Sequence, residues 1–136
     1  MKKISLSWTL SHTKSLSEKP QDEIPANVPG AVQLDYAEAK GYEPYYYGEN
    51  FKQFDWMEDE FFIYKSELNF NASPLECAFL CFDGIDYKYI IKIAGKVFAK
   101  GEGMFTPIAI DVSQFAGRKA PIEVIIFPIP KVFPQP

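Results

Sequence analysis

The stretch Leu80-Cys81-Phe82-Asp83-Gly84-Ile85-Asp86-Tyr87-Lys88-Tyr89-Ile90-Ile91-Lys92-Ile93-Ala94-Gly95-Lys96-Val97-Phe98-Ala99-Lys100 decides the fold class. Its aromatic and β-branched runs are too short for helices and are cut by turn residues, the pattern of strands. Residues 75–82 are nearly all apolar and read as a strand buried on both faces. Asp83-Gly84 is a turn signal. Residues 87–93 form the next strand. Ala94-Gly95 separates it from a returning strand at 97–100, so the two read as a hairpin. Two-residue hairpin turns need positive φ, which strains alanine, so the turn type stays open at Ala94.

Outward from this hairpin the same texture continues. Upstream, residues 61–70 place Phe62, Tyr64, Ser66, Leu68 and Phe70 on one face of a strand. Near the N-terminus, Ile4, Leu6, Trp8 and Leu10 alternate with Ser5, Ser7, Thr9 and Ser11, a strand with one buried face. Residues 12–23 are polar and read as a loop, with His12 a plain surface residue. Residues 24–30 hold Pro25 and Pro29, which deny ladder donors, so the segment is an extended edge and not a central strand. Residues 31–40 are the one good helix candidate: Val32, Tyr36 and Ala39 share a face, and Gly41 stands where a helix ends. Residues 43–50 have no period, and 51–57 suit one or two short helical turns. Downstream, a strand at 105–112 is interrupted by Pro107, and residues 122–127 form a last, very apolar strand. Residues 128–136 are a Pro-rich extended tail. This pattern predicts burial of Ile4, Leu6, Trp8, Leu80, Phe82, Ile91, Ile93, Val124 and Ile126, with Lys65, Lys88 and Lys92 facing outward.

The chain has 136 residues, 47% hydrophobic and 24% charged, which suits one globular domain. Twelve Phe, eight Tyr, two Trp, eleven Pro and eight Gly favour an all-β domain with many turns. The net charge is −4 and no basic run stands out, so nucleic acid is not an expected partner. No segment approaches the ~18 apolar residues of a spanning helix, and no membrane partner is expected. The alternation over residues 4–11 is unlike the apolar core of a signal peptide, so no export signal is read here and the compartment stays open: the cytoplasm for this chain, the periplasm for a longer parent. Cys77 and Cys81 would lie ~13 Å apart on one strand, beyond disulfide reach, and read as small buried hydrophobes. One His and two Cys give no metal site, and no cofactor is expected.

Six short segments, in order, resemble the N-terminal domain of family 2 glycoside hydrolases, the β-galactosidase and β-mannosidase group. Pro25-Ala26-Asn27-Val28-Pro29-Gly30-Ala31-Val32 is similar to the family's P-x-x-V-P-G-x-V entry into a short helix. Glu43-Pro44-Tyr45-Tyr46-Tyr47-Gly48-Glu49-Asn50 is similar to the β-mannosidase-type D-P-F/Y-Y-G-x-N, with Glu for Asp and one extra Tyr. Trp56 followed by Phe61-Phe62-Ile63-Tyr64 is like the family's Trp and W-x-Y approach to a strand. Leu80-Cys81-Phe82-Asp83-Gly84-Ile85-Asp86 is similar to L-x-F-D-G-V-D. It leads into Ile91-Lys92-Ile93-Ala94-Gly95-Lys96, where the family usually has Asn-Gly and Ala94 departs from it. Met104-Phe105-Thr106-Pro107 with Ile110-Asp111-Val112-Ser113 is like M-F-x-P-x-x-x-D-V-T. The resemblance implies a jelly-roll β-sandwich of the galactose-binding-like type, with one or two short helices.

Retaining glycoside hydrolysis needs two carboxyl groups ~5–5.5 Å apart. The resemblance implies that both lie in a later (β/α)₈ barrel, so this chain is expected to hold no catalytic residue and to be inactive alone. Asp83 and Asp86 flank a glycine and are read as satisfying turn N–H groups, and Glu58, Asp59 and Glu60 as a solvated loop. The candidate substrate-binding residues are Tyr46, Tyr47, Glu49, Asn50 and Trp56, beside Tyr45. Aromatic faces meet sugar C–H surfaces, and planar polar groups meet hydroxyls. The competing reading makes these aromatics a satellite core and an interdomain contact, the usual role of large aromatics.

The expected function is a scaffold and pocket wall within a glycosidase of carbohydrate metabolism, and the alternative is a free-standing carbohydrate-binding module. Expected partners are weakly bound carbohydrate and the parent's downstream domains. In the family the domain continues past the region matching residues 122–127, through a G-W-D-W-G/H-P segment and strands ending in G-I-W-R. The resemblance therefore implies an incomplete domain here. Its vacated sheet edge is expected to pair two-fold in a homodimer, over an apolar interface above roughly 1,000 Å².

Overall fold

The computed structural model describes residues 6–26, 59–82, 85, 88–102 and 107–128. Among these, eight strands form two antiparallel sheets: β1 (Trp8–Thr13), β2 (Gln21–Ala26), β3 (Phe61–Asn69), β4 (Phe79–Phe82), β5 (Lys88–Ile93), β6 (Lys96–Glu102), β7 (Ile108–Asp111) and β8 (Lys119–Ile126). The large sheet runs β2-β1-β3-β8-β5-β6, and the small one pairs β4 with β7. The result is an all-β sandwich. The expected helix at 31–40, the helical turns at 51–57 and the tail beyond Pro128 lie outside the described residues, as does Ile4.

Period two explains the large sheet. The pairing aligns Leu10 with Tyr64, Tyr64 with Val124, Val124 with Ile91, and Ile91 with Ala99, so one face runs unbroken across five strands. Leu10, Ile91, Ile93 and Ile122 are fully buried there. Burying each such side chain contributes about 1.5–3 kcal/mol. The small sheet closes this face with Leu80 and Ile110, helped by Val112 and by Phe115 of a 3-10 turn, Ser113–Phe115. Of the residues expected in the core, Leu80, Ile91, Ile93 and Val124 are buried. Leu6, Trp8, Phe82 and Ile126 are half-buried and pack against its margin. The opposite face of the large sheet has a second buried pair, Ile63 against Ile125.

The middle of the sheet tolerates a proline for a geometric reason. Pro121 opposes Glu67 in β8, a central strand. A strand residue aims its N–H and C=O to the same side, and the Pro121 carbonyl accepts from Ala94 N–H at 2.9 Å. The missing donor thus faces the β5–β6 turn, beyond the end of the β5–β8 ladder. In that turn Ala94 has φ 51° and Gly95 φ 81°, the left-handed pair that a type I′ hairpin requires. The strain expected at Ala94 is present.

Several sequence expectations are corrected. The first strand is shifted toward the C-terminus, because β3 pairs with it as far as Thr13 opposite Phe61. Ladder bonds override the polar composition of Ser11, His12 and Thr13. Part of the expected loop 12–23 is β2, which is an edge strand as the two prolines required and carries Pro25. Residues 75–82 are not buried on both faces. Leu75 is 96% exposed in a turn where Pro74 follows Ser73 and Glu76 N–H returns to the Ser73 carbonyl at 3.0 Å. Only Phe79–Phe82 is strand, and Phe79 and Cys81 point away from the core. Cys77 and Cys81 are therefore exposed free thiols, not buried hydrophobes.

Candidate functional site

The candidate sugar-contacting residues Tyr46, Tyr47, Glu49, Asn50 and Trp56 lie outside the described residues, as do Tyr45, Asp83 and Asp86. What the structure does bring together is a polar cluster that the sequence reading missed. His12, expected at the surface, is 6% exposed, and Glu60, expected in a solvated loop, is 4% exposed.

The cluster follows from strand phase. Trp8, Leu10 and His12 alternate onto the core face of β1, so the histidine enters on an apolar side. Its register partner is Phe62, whose ring centroid lies 6.4 Å from the imidazole. A buried imidazole needs partners, and two carboxylates supply them. Nδ1 lies 2.9 Å from Glu60 Oε2, just ahead of β3, and Nε2 lies 2.9 Å from Asp22 Oδ2 in β2. Asp22 reaches inward because the β1–β2 register slips between Leu10 and His12 and its own φ is 52°. Aspartate tolerates this left-handed conformation better than most residues. Each ring nitrogen thus engages one carboxyl oxygen, with the donor at each contact set by the tautomer. Next to it, on the other face, the buried Ser11 hydroxyl has no hydrogen-bond partner among the described residues.

This geometry ties three strands together and is unsuited to hydrolysis. Two catalytic carboxyls must face each other across an open glycosidic bond. Here the space between Asp22 and Glu60 is filled by the imidazole ring, and both ring nitrogens are engaged. Among the described residues no group of three or more His, Cys, Asp or Glu is placed to hold a metal ion, and no helix is long and apolar enough to cross a membrane. The signal for the cluster was in the sequence: His12 shares the phase of Trp8 and Leu10. Its acidic partners, 10 and 48 residues away, could be found only from the strand pairing.

The fold these described residues define is an all-β sandwich of two antiparallel sheets. Residues 8–131 match the family described as the glycosyl hydrolase 2 galactose-binding domain-like domain, and the chain belongs to that family. Among relatives, it is 29% identical over 112 residues to β-mannosidase B of Aspergillus clavatus, covering 82% of this chain and 13% of that protein. β-Mannosidase B of Neosartorya fischeri is likewise 29% identical, over 113 residues. Among solved structures, the β-D-mannosidase of Dictyoglomus thermophilum superposes with a TM-score of 0.70 at 27% identity, covering 89% of this chain and 15% of that one. The β-glucuronidase of Faecalibacterium prausnitzii shares the fold, with a TM-score of 0.60 at 19% identity over 89% of this chain and 20% of its own. The chain thus spans about one seventh of the mannosidases it matches.

Proposed function

We propose that this chain is the non-catalytic N-terminal sugar-binding-like domain of a β-mannosidase-type glycosidase, acting as scaffold and as one wall of the substrate pocket. The observation that carries this reading is the superposition on the Dictyoglomus thermophilum β-D-mannosidase, which covers nearly all of this chain and only 15% of that one. The filled gap between Asp22 and Glu60 supports the absence of catalysis. Tyr46, Tyr47, Glu49, Asn50 and Trp56 are the wall residues in this reading. Its partners are the downstream domains of the same polypeptide and, weakly, a sugar. A domain supplying part of a pocket holds simple sugars with a Kd no better than about millimolar, roughly −4 kcal/mol. Among the described residues the small sheet has two strands, and its free edges are where two copies would pair as a dimer.

The test belongs in a glycosidase polypeptide that carries this domain. Tyr46→Ala, Tyr47→Ala and Trp56→Ala are expected to raise KM about tenfold or more with little change in melting temperature. Unchanged KM in all three would contradict the wall role. Lowered melting temperature with unchanged KM would assign these aromatics to packing.

A further inference from the structure

A cleft of about 320 Å³ opens at the end of the sandwich where the β5–β6 turn meets the 3-10 turn. It is lined by Ile93, Ala94, Lys96, Phe98, Gln114, Phe115 and Arg118. Its size is at the lower end of small-molecule sites, enough for a single ring.

Two features of the lining point to one ligand chemistry, and a third bears on access to the cleft. The first is an apolar floor: Phe98 and Phe115 meet edge to face with centroids 5.7 Å apart, above the fully buried Ile93. The second is a positive rim. Lys96 and Arg118 both border the cleft, and neither forms an ion pair among the described residues, although the chain as a whole carries −4. The Arg118 guanidinium is already held in place. It lies 5.3 Å over the Phe115 ring, and Nη2 donates to the Gln114 carbonyl at 3.0 Å, leaving its other N–H groups to donate elsewhere. The Gln114 side-chain amide adds a neutral donor and acceptor.

The third feature is Ala94. Its left-handed φ of 51° is strained, and asparagine would relieve that strain in a type I′ turn. Asparagine would also project a larger side chain at the cleft mouth, which the alanine methyl leaves open.

We propose that this cleft binds a small ring-shaped carboxylate, with the ring against Phe98, which Phe115 backs, and the carboxylate taken by Arg118 and Lys96. Guanidinium and ammonium groups form charge-assisted hydrogen bonds with a carboxylate, and the apolar floor selects for a ring beside it. A sugar acid and an aryl carboxylate share this chemistry. The site stands on described residues alone, and its failure would leave the pocket-wall reading untouched.

The experiment is a titration of the isotopically labelled 136-residue chain followed by amide and arginine side-chain NMR shifts. The probes are methyl β-D-glucuronide, benzoate, methyl β-D-glucoside and acetate. At least one of the two ring carboxylates is expected to shift Ala94, Lys96, Gln114 and Arg118 saturably, with a Kd of about millimolar. The neutral glucoside and acetate are expected to bind at least about tenfold more weakly. Saturation by the glucuronide identifies a sugar-acid site, and saturation by benzoate alone an aryl-acid site. Lys96→Gln and Arg118→Gln are each expected to weaken binding about tenfold. Ala94→Asn is expected to raise the melting temperature while weakening binding. Absence of saturable shifts with both ring carboxylates would overturn the proposal. So would acetate binding as tightly as they do, or full affinity in Lys96→Gln.

Discussion

His12 holds a carboxyl oxygen 2.9 Å from each ring nitrogen. Glu60 is buried, so removing the imidazole strands a charge that water does not readily reach. His12→Ala is expected to lower stability by about 2–4 kcal/mol, measured by urea denaturation. Asp22→Asn is expected to cost less, because Asp22 is an exposed residue and its carboxylate keeps partial access to water. Equal effects from the two would contradict the burial asymmetry. Ser11 gives the opposite sign. Its buried hydroxyl lacks a partner among the described residues, so Ser11→Ala is expected to leave stability unchanged or to raise it by about 1 kcal/mol. The sequence reading placed His12 at the surface, since a polar strand end reads as a loop until β3 is known to pair with it. Turn chemistry was more legible: Ala94-Gly95 marked the hairpin and the strained residue in it.

At the scale of elements, β8 organises the large sheet. It pairs with β3 from Lys119 to Ile126 and with β5 from Ile122. Ile122 is fully buried, whereas Ile126 is half-buried at the core margin. Ile122→Ala is expected to cost about 3–4 kcal/mol and Ile126→Ala about half as much, read from denaturation midpoints. The 3-10 turn is set differently. Asp111 ends β7, and its Oδ1 accepts the Ser113 N–H at 2.9 Å. The Ser113 hydroxyl and then that N–H hold the Asp111 carboxyl below its ordinary value. A depressed carboxylate contributes stability that is present above the unfolded value and lost as pH falls through the folded one. Wild type is therefore expected to exceed Asp111→Ala in melting temperature at neutral pH, with the gap narrowing below roughly pH 4. Strand existence was readable from alternation and apolar runs. Strand bounds were not, because β1 and β4 end where partners end: β4 matches β7 residue for residue.

For the molecule as far as it is described, the two sheets enclose an apolar core, and His12, Asp22 and Glu60 join β1 and β2 to the residue ahead of β3. The family assignment rests on a match over residues 8–131, and the ordered motifs in the sequence pointed to it before any pairing was known. That match does not require activity, because a fold hosts chemistry only where a site is built. The two exposed thiols and the exposed Phe79 show where the sequence misled: an apolar run was read as buried twice over, when one of its faces points outward. The function proposed above makes this chain a non-catalytic domain. The most direct measurement is hydrolysis of 4-nitrophenyl β-D-mannoside by the purified 136-residue chain. No turnover above the buffer background is expected. Turnover that survives repurification and is abolished by Asp22→Asn or Glu60→Gln in a variant that remains folded would contradict the account.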